Sequence, residues 1–216
     1  MFWALKKYAL VETIGFSYGQ RHYVEMKCRK EIFTNIKKKF PSLVKNLGKD
    51  HILDVSAISK ISNTALTNNI KIQKNSNNLP NTFLPGRNLL FLVLAGSLAY
   101  NRNINSLSGG MCETDFSGYP DCRRDTIDSQ EKALSLGLDM DIKIYTPLMN
   151  LDKNSIWSFA NEYGGKKFID IIINNTHTCY LGVRENKNVW GYGCAECPAC
   201  LLRSNGFFKW KKSITK

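Results

Sequence analysis

Four cysteines near the C-terminus have the residue type and spacing to bind a metal. Cys179 is followed by fourteen residues and then by Cys194-x-x-Cys197-x-x-Cys200. Two overlapping C-x-x-C steps and an upstream partner make a thiolate tetrad. Such a tetrad suits one tetrahedral zinc with sulfur at roughly 2.3 Å. Disulfides and unligated buried thiols are the alternatives, and the spacing favours zinc over both. Cys28, Cys112 and Cys122 are scattered, and Cys112 and Cys122, without a C-x-x-C partner, read as buried thiols rather than extra ligands or a nucleophile.

Three polar segments upstream could meet a ligand. Gly19-Gln20-Arg21-His22 lies between a strand-like and a helix-like stretch, where backbone N–H groups and a guanidinium can hold an anion. The same four residues also fit an ordinary turn, with His22 as a candidate base or simply the start of the helix. Pro85-Gly86-Arg87-Asn88 precedes the most apolar helix, so Arg87 sits near a helix N-terminus, where an anion is favoured. Gly109 to Arg123 is the densest polar loop. Its Glu113, Asp115 and Asp121 could accept hydrogen bonds from a purine-like base. Tyr119 could stack on that base, and Arg123 could hold a substrate carboxylate. A solvated acidic turn is the plainer reading of this loop.

The elements that must position these groups alternate between strand and helix. Val11–Tyr18 reads as a strand and Tyr23–Phe40 as a helix stopped by Pro41. A strand at His51–Ile58 leads into a long polar loop, Ser59–Pro85. A helix at Asn88–Tyr100 follows, then a short strand at Asn105–Gly110. Next come a helix at Ser129–Leu136, a strand at Met140–Tyr145 and a helix at Lys153–Tyr163. From Thr176 the cysteine segment reads as irregular, with a short helix over Leu201–Trp210. This alternation predicts an α/β domain over 1–175 with a mostly parallel sheet and helices on both faces, followed by a small zinc-binding subdomain over 176–216. The loops at 18–22, 56–87 and 111–124 are expected to share the carboxyl rim of that sheet.

The chain carries 30 Lys and Arg against 18 Asp and Glu, a formal charge of +12. A zinc tetrathiolate would lower this to about +10. Basic balance favours anionic partners such as nucleotides or phosphorylated substrates. A basic zinc-ribbon nucleic-acid binder is the reading that charge alone would favour. Against it, Thr178–Arg203 offers only Arg184, Lys187 and Arg203 against Glu185 and Glu196, and no basic stripe borders the cysteines. The longest apolar run, Leu89–Tyr100, is too short for a bilayer, so no membrane partner is expected. No signal or transit peptide opens the chain, and a reducing cytoplasm is the expected compartment.

Taken together, these segments resemble the 7-cyano-7-deazaguanine synthase (QueC) family of the queuosine pathway. The resemblance rests on F-S-Y-G-Q-R-H (Phe16–His22), P-G-R-N (Pro85–Asn88) and G-G-M-C-E-T-D-F-S-G-Y-P-D-C-R (Gly109–Arg123). It continues through P-L-M-N-L-D-K (Pro147–Lys153), T-C-Y-L-G-V-R (Thr178–Arg184) and G-C-A-E-C-P-A-C-L-L-R (Gly193–Arg203). The resemblance implies an adenine-nucleotide α-hydrolase-like, Rossmann-like fold and a cytoplasmic carbon–nitrogen ligase. Its implied substrates are 7-carboxy-7-deazaguanine, ammonia and ATP with Mg²⁺, and no direct nucleic-acid contact is expected. The carboxylate is adenylated, ammonia gives an amide, and a second activation dehydrates it to the nitrile.

On this resemblance Cys179, Cys194, Cys197 and Cys200 hold one structural zinc. Glu113, Asp115, Tyr119, Asp121 and Arg123 line the substrate, and Gln20, Arg21 and Arg87 lie near nucleotide or substrate. No catalytic residue is singled out. The family's S-G-G-x-D-S phosphate loop has no counterpart here, because Ser108-Gly109-Gly110 is followed by Met111, Cys112 and Glu113. The resemblance therefore implies a chain that starts inside the family's first helix, lacking the first strand and phosphate loop. Such a chain is expected to bind ATP poorly and to be unstable when alone, and to form a homodimer when complete. An inactive remnant or a partner subunit of the same family is the alternative.

Overall fold

Val11, Thr13, Ile14 and Phe16 favour extended backbone and form strand β1 (Val11–Ser17) after the short helix α1 (Phe2–Lys7). The computed structural model describes residues 1–73, 79–113 and 118–215. The chain divides into two compact units, Met1–Leu53 with Asp152–Lys216, and Asp54–Leu151. The expected zinc-binding segment from Thr176 lies inside the first of these.

In the first unit, helix α2 (Val24–Lys39) buries Met26, Cys28 and Ile36. The helix stops before Pro41 as expected, Phe40 leaving helical geometry at φ −134°, ψ 59°. Pro41 then opens a further turn, α3 (Pro41–Val44), at the position where its missing N–H costs nothing. Strand β2 (Leu47–Asp54) pairs with β1. It lies four residues earlier than the expected span His51–Ile58. The reason is local: the Asp54 carboxylate accepts the Ser56 N–H at 2.8 Å, and this turn ends the strand before the short helix α4 (Ala57–Lys60).

In the second unit, Gly86 at φ 76° turns the chain into helix α5 (Arg87–Asn101). Its Gly96 lies against Leu134 of α6 (Arg124–Leu138), where a Cβ would approach within 3.0 Å. Helix α6 starts five residues earlier than the sequence pattern indicates, because Arg123 adopts extended backbone as its N-cap and the Glu113 carboxylate accepts the Arg124 N–H at 3.1 Å. Strands β3 (Ser106–Ser108) and β4 (Lys143–Tyr145) run parallel, with Leu107 opposite Ile144. Leu92, Ile127, Leu134, Ile142, Ile144 and Met149 form the core beneath them.

Helix α7 (Lys153–Asn175) returns to the first unit. Asp152 caps it by accepting the Ser155 N–H at 2.8 Å. The helix expected to stop at Tyr163 is interrupted at Gly165 (φ 59°, ψ −163°) and then resumes. This second half buries Ile169 and Ile171, and Ile171 packs with Phe2, Leu5 and Ile36. Complete burial of such an aliphatic side chain contributes about 2 kcal/mol.

A small antiparallel hairpin follows, β5 (Lys187–Asn188) and β6 (Gly191–Tyr192). Helix α8 (Pro198–Ile214) closes the chain. It is longer than the short helix expected and begins before Cys200. The α/β class read from the sequence is the class observed. Among the described residues the strands form three two-stranded sheets. No helix among them is long and apolar enough to cross a membrane.

Candidate zinc centre and substrate loops

Three stretches of backbone deliver the four cysteines. Cys179 follows the end of α7, just beyond His177, which bridges to Tyr192 of β6. Cys194 leaves the β5–β6 hairpin. Cys197 is the N-cap of α8, and Pro198 takes the first helical position. Cys200 lies in the first turn of that helix and is fully buried. All four sulfurs lie within 4.8 Å of one another. A tetrahedron with Zn–S bonds of roughly 2.3 Å has edges of about 3.8 Å. The Cys194–Cys200 sulfur separation, 3.9 Å, is already near that edge. Four soft donors at this spacing fit zinc, and they leave no position open for water.

The turn from Cys194 to Cys197 is built to receive a thiolate. Ala195 takes φ 64°, a left-handed conformation unusual for alanine. That curl points the N–H groups of Glu196 and Cys197 at Cys194 Sγ, at 3.4 and 3.2 Å. Burial pushes the Cys194 thiol up, but these two N–H groups and the neighbouring thiols outweigh it and bring it down to about 7. Burial raises Cys197, against hydrogen bonds from Cys200 and Tyr180 that lower it, and burial raises Cys200, with the Cys197 and Cys179 sulfurs adding to the effect there. Gly193, at φ 158°, lies so close to Cys200 Sγ that a Cβ there would approach within 2.5 Å. Trp157, Trp190, Phe207 and Trp210 enclose the tetrad in one apolar cluster.

Gln20 and Arg21 follow β1 in the same unit. Gln20 turns back on the chain, its Oε1 accepting the Tyr18 N–H at 2.9 Å. The His22 ring packs on Gly182, whose φ of 70° and missing side chain make room for it. Burial, and then the Arg21 charge, lower the His22 pKa.

Two of the expected loops meet within the second unit. Tyr119 shares a 2.6 Å hydrogen bond with Thr82, and its ring lies 5.6 Å from that of Phe83. The Arg87 guanidinium sits 6.0 Å from the Tyr119 ring centre. Asp121 is buried, and its carboxylate accepts the Asn88 N–H at the start of α5. The Asn88 amide donates to Cys122 Sγ at 3.2 Å. Burial and the Asp121 charge raise the Cys122 thiol to about 11, so it is a neutral thiol at physiological pH. Cys112 donates its S–H to the Leu151 carbonyl. Glu113 and Arg123 are exposed at the start of α6, with one Glu113 oxygen holding the Arg124 N–H. Asp115 lies outside the described residues.

The structure thus brings the four cysteines together, and separately Arg87, Tyr119 and Asp121. Sequence reasoning missed Arg203, Thr176 and Thr178 beside the tetrad and Asn88 beside Asp121. Arg203 lies one helical turn beyond Cys200 on α8, and no sequence signal sets it apart there.

A family model described as "Queuosine biosynthesis protein QueC" matches residues 1–211. A Bordetella pertussis protein named 7-cyano-7-deazaguanine synthase is 52% identical over 208 residues, covering 96% of this chain and 85% of its own length. A Janthinobacterium protein of the same name is 54% identical over 205 residues, covering 95% and 87%. A Maricaulis maris protein of the same name is 51% identical over 212 residues, covering 98% and 87%.

Proposed function

The chain belongs to the QueC family of queuosine biosynthesis proteins, and on that premise we propose that it is a 7-cyano-7-deazaguanine synthase. As a carbon–nitrogen ligase it takes 7-carboxy-7-deazaguanine, ammonia and ATP with Mg²⁺. The observation that carries this reading is a likeness spanning nearly the whole chain, combined with an intact thiolate tetrad.

A carboxylate is a poor electrophile, and this sets the order of events. Its oxygen attacks the α-phosphorus of ATP and expels pyrophosphate, leaving an acyl-adenylate. Ammonia adds to the acyl carbon, loses a proton and displaces AMP, which gives the amide. The amide oxygen is then activated by a second ATP. Loss of that oxygen as AMP, with the remaining N–H protons, leaves the nitrile.

Glu113, Asp115, Tyr119, Asp121 and Arg123 are the residues proposed for the deazapurine. Tyr119, held by Thr82 and flanked by Phe83, offers a fixed ring face for stacking. Arg123 at the start of α6 adds a guanidinium to the positive end of a helix, a combination suited to the substrate carboxylate. Gln20, Arg21 and Arg87 are proposed near nucleotide or substrate. Cys179, Cys194, Cys197 and Cys200 hold one zinc within the segment 176–216. When bound, that zinc supplies cross-linking of the fold rather than a reactive water. A reducing cytoplasm, where thiolates stay available to zinc, is the proposed compartment.

The test is direct. The purified chain is given 7-carboxy-7-deazaguanine, ammonia, ATP and Mg²⁺, and products are followed by chromatography and mass. At ATP concentrations high enough to offset the weak binding expected without an S-G-G-x-D-S loop, the expected outcome is the nitrile with two AMP formed per turnover. Absence of both amide and nitrile from a folded, zinc-loaded protein would overturn the assignment.

A further inference from the structure

Arg203 is 7% exposed. Its Nε donates to the Trp190 carbonyl at 3.0 Å, and its Nη1 to the hydroxyls of Thr176 and Thr178, both at 2.8 Å. Its Nη2 donates to the Ile172 carbonyl at 2.9 Å, and its plane lies 5.6 Å from the Trp157 ring centre. All these partners are neutral. A Cβ at Gly191 would approach Nη2 within 2.7 Å, so the hairpin leaves its side-chain space to the guanidinium.

A buried cation without an anion is costly, by several kcal/mol in general. The segment supplies one anionic group nearby: a zinc tetrathiolate carries two net negative charges. The neutral partners also have a pattern. Thr178 immediately precedes Cys179. Trp190 belongs to the hairpin that delivers Cys194. Arg203 itself stands on α8, which carries Cys197 and Cys200. One side chain therefore fastens together all three stretches that supply a sulfur, through bonds that need no metal.

We propose that Arg203 is the positioning residue of the zinc centre: its fork holds the three ligand-bearing segments in register, and its charge offsets the tetrathiolate. This inference rests on the reading of the tetrad as a zinc site. It says nothing of the ligase reaction.

The test uses the full chain as wild type and as R203M, R203K and T178V. Zinc content, the rate of zinc transfer to a chromophoric chelator, and the absorption of the cobalt-substituted centre are measured. I36A, which weakens the same unit away from the fork, serves as control. R203M is expected to release zinc at least tenfold faster and to broaden and shift the cobalt bands. R203K, which keeps the charge and loses the fork, is expected to lie between. T178V is expected to release zinc severalfold faster. I36A is expected to melt earlier but leave rate and spectrum unchanged.

Wild-type zinc release from folded R203M would overturn the proposal, as would equal acceleration in I36A. If R203M does not fold, the T176A/T178V double variant decides, and wild-type release from it overturns the proposal equally. A wild-type chain that binds no zinc would instead defeat the reading of the tetrad.

Discussion

The carboxylate of Asp121 accepts the backbone N–H of Asn88 at 3.1 Å, and Asp121 is buried while doing so. One carboxylate oxygen is thus committed to the first turn of α5, where N–H groups lack helical partners. D121A removes the acceptor and leaves that N–H inside the protein. The expected cost is about 1–2 kcal/mol, read as a lower midpoint in chemical unfolding. D121N keeps one acceptor oxygen and should lose less than half as much. Equal stability of D121A and wild type would show that the bond carries no load.

The left-handed Ala195 and the tight Gly193 predict opposite responses to small substitutions. A195G relieves backbone strain of about 1 kcal/mol and should raise the melting temperature by a few degrees. G193A forces a methyl group into Cys200 Sγ and should lower zinc occupancy after dialysis. A G193A protein that keeps its full zinc complement would contradict the packing described.

Zinc binding must release protons, and the direction follows from the thiols. Cys197 and Cys200 are raised by burial, so they hold protons at pH 7, whereas Cys194, near 7, is about half ionised. Zinc takes thiolates and competes with those protons. Affinity should therefore rise with pH and fall on acidification. Calorimetry in buffers of different ionisation heat should show about two or more protons released per zinc at pH 7. A pH-independent affinity between 6 and 8 would rule this out.

Asp152 offers a cleaner electrostatic test. Hydrogen bonds from the Ser155 backbone and hydroxyl lower its pKa, against slight burial, with Lys209 assisting. A carboxylate lowered in the folded state stabilises it above its unfolded pKa and loses that contribution as pH falls through the folded value. D152A should cost about 1 kcal/mol at neutral pH, with the gap to wild type narrowing below about pH 4. A gap that stays constant down to pH 2 would assign the effect to geometry rather than charge.

What was legible in the sequence follows from how local each signal is. The tetrad could be read because three of its members sit within seven residues and carry their own geometry. The start of α5 could be read from Pro85-Gly86, since glycine alone takes φ 76° easily. Strand β2 was displaced because Asp54 and Ser56 close a turn that outweighs the extended propensity of Ile52 and Val55. The break in α7 at Gly165 was hidden for a related reason: the helix resumes because Ile169 and Ile171 find a core, and that core is made by residues far away in sequence. Arg203 stayed invisible as a structural centre. Its partners are carbonyls and threonine hydroxyls, groups that every stretch of chain possesses.

Three of the four tryptophans, Trp157, Trp190 and Trp210, stand in the apolar cluster that encloses the sulfurs. Trp157 and Trp210 stack at 5.7 Å, and the Trp190 ring borders the same Gly193 position that touches Cys200. Indole emission responds to nearby sulfur and to the rigidity of its surroundings. The metal centre thus comes with its own lamp. Ultraviolet light alone should follow loading and stripping in real time, without a dye, a label or a turnover assay.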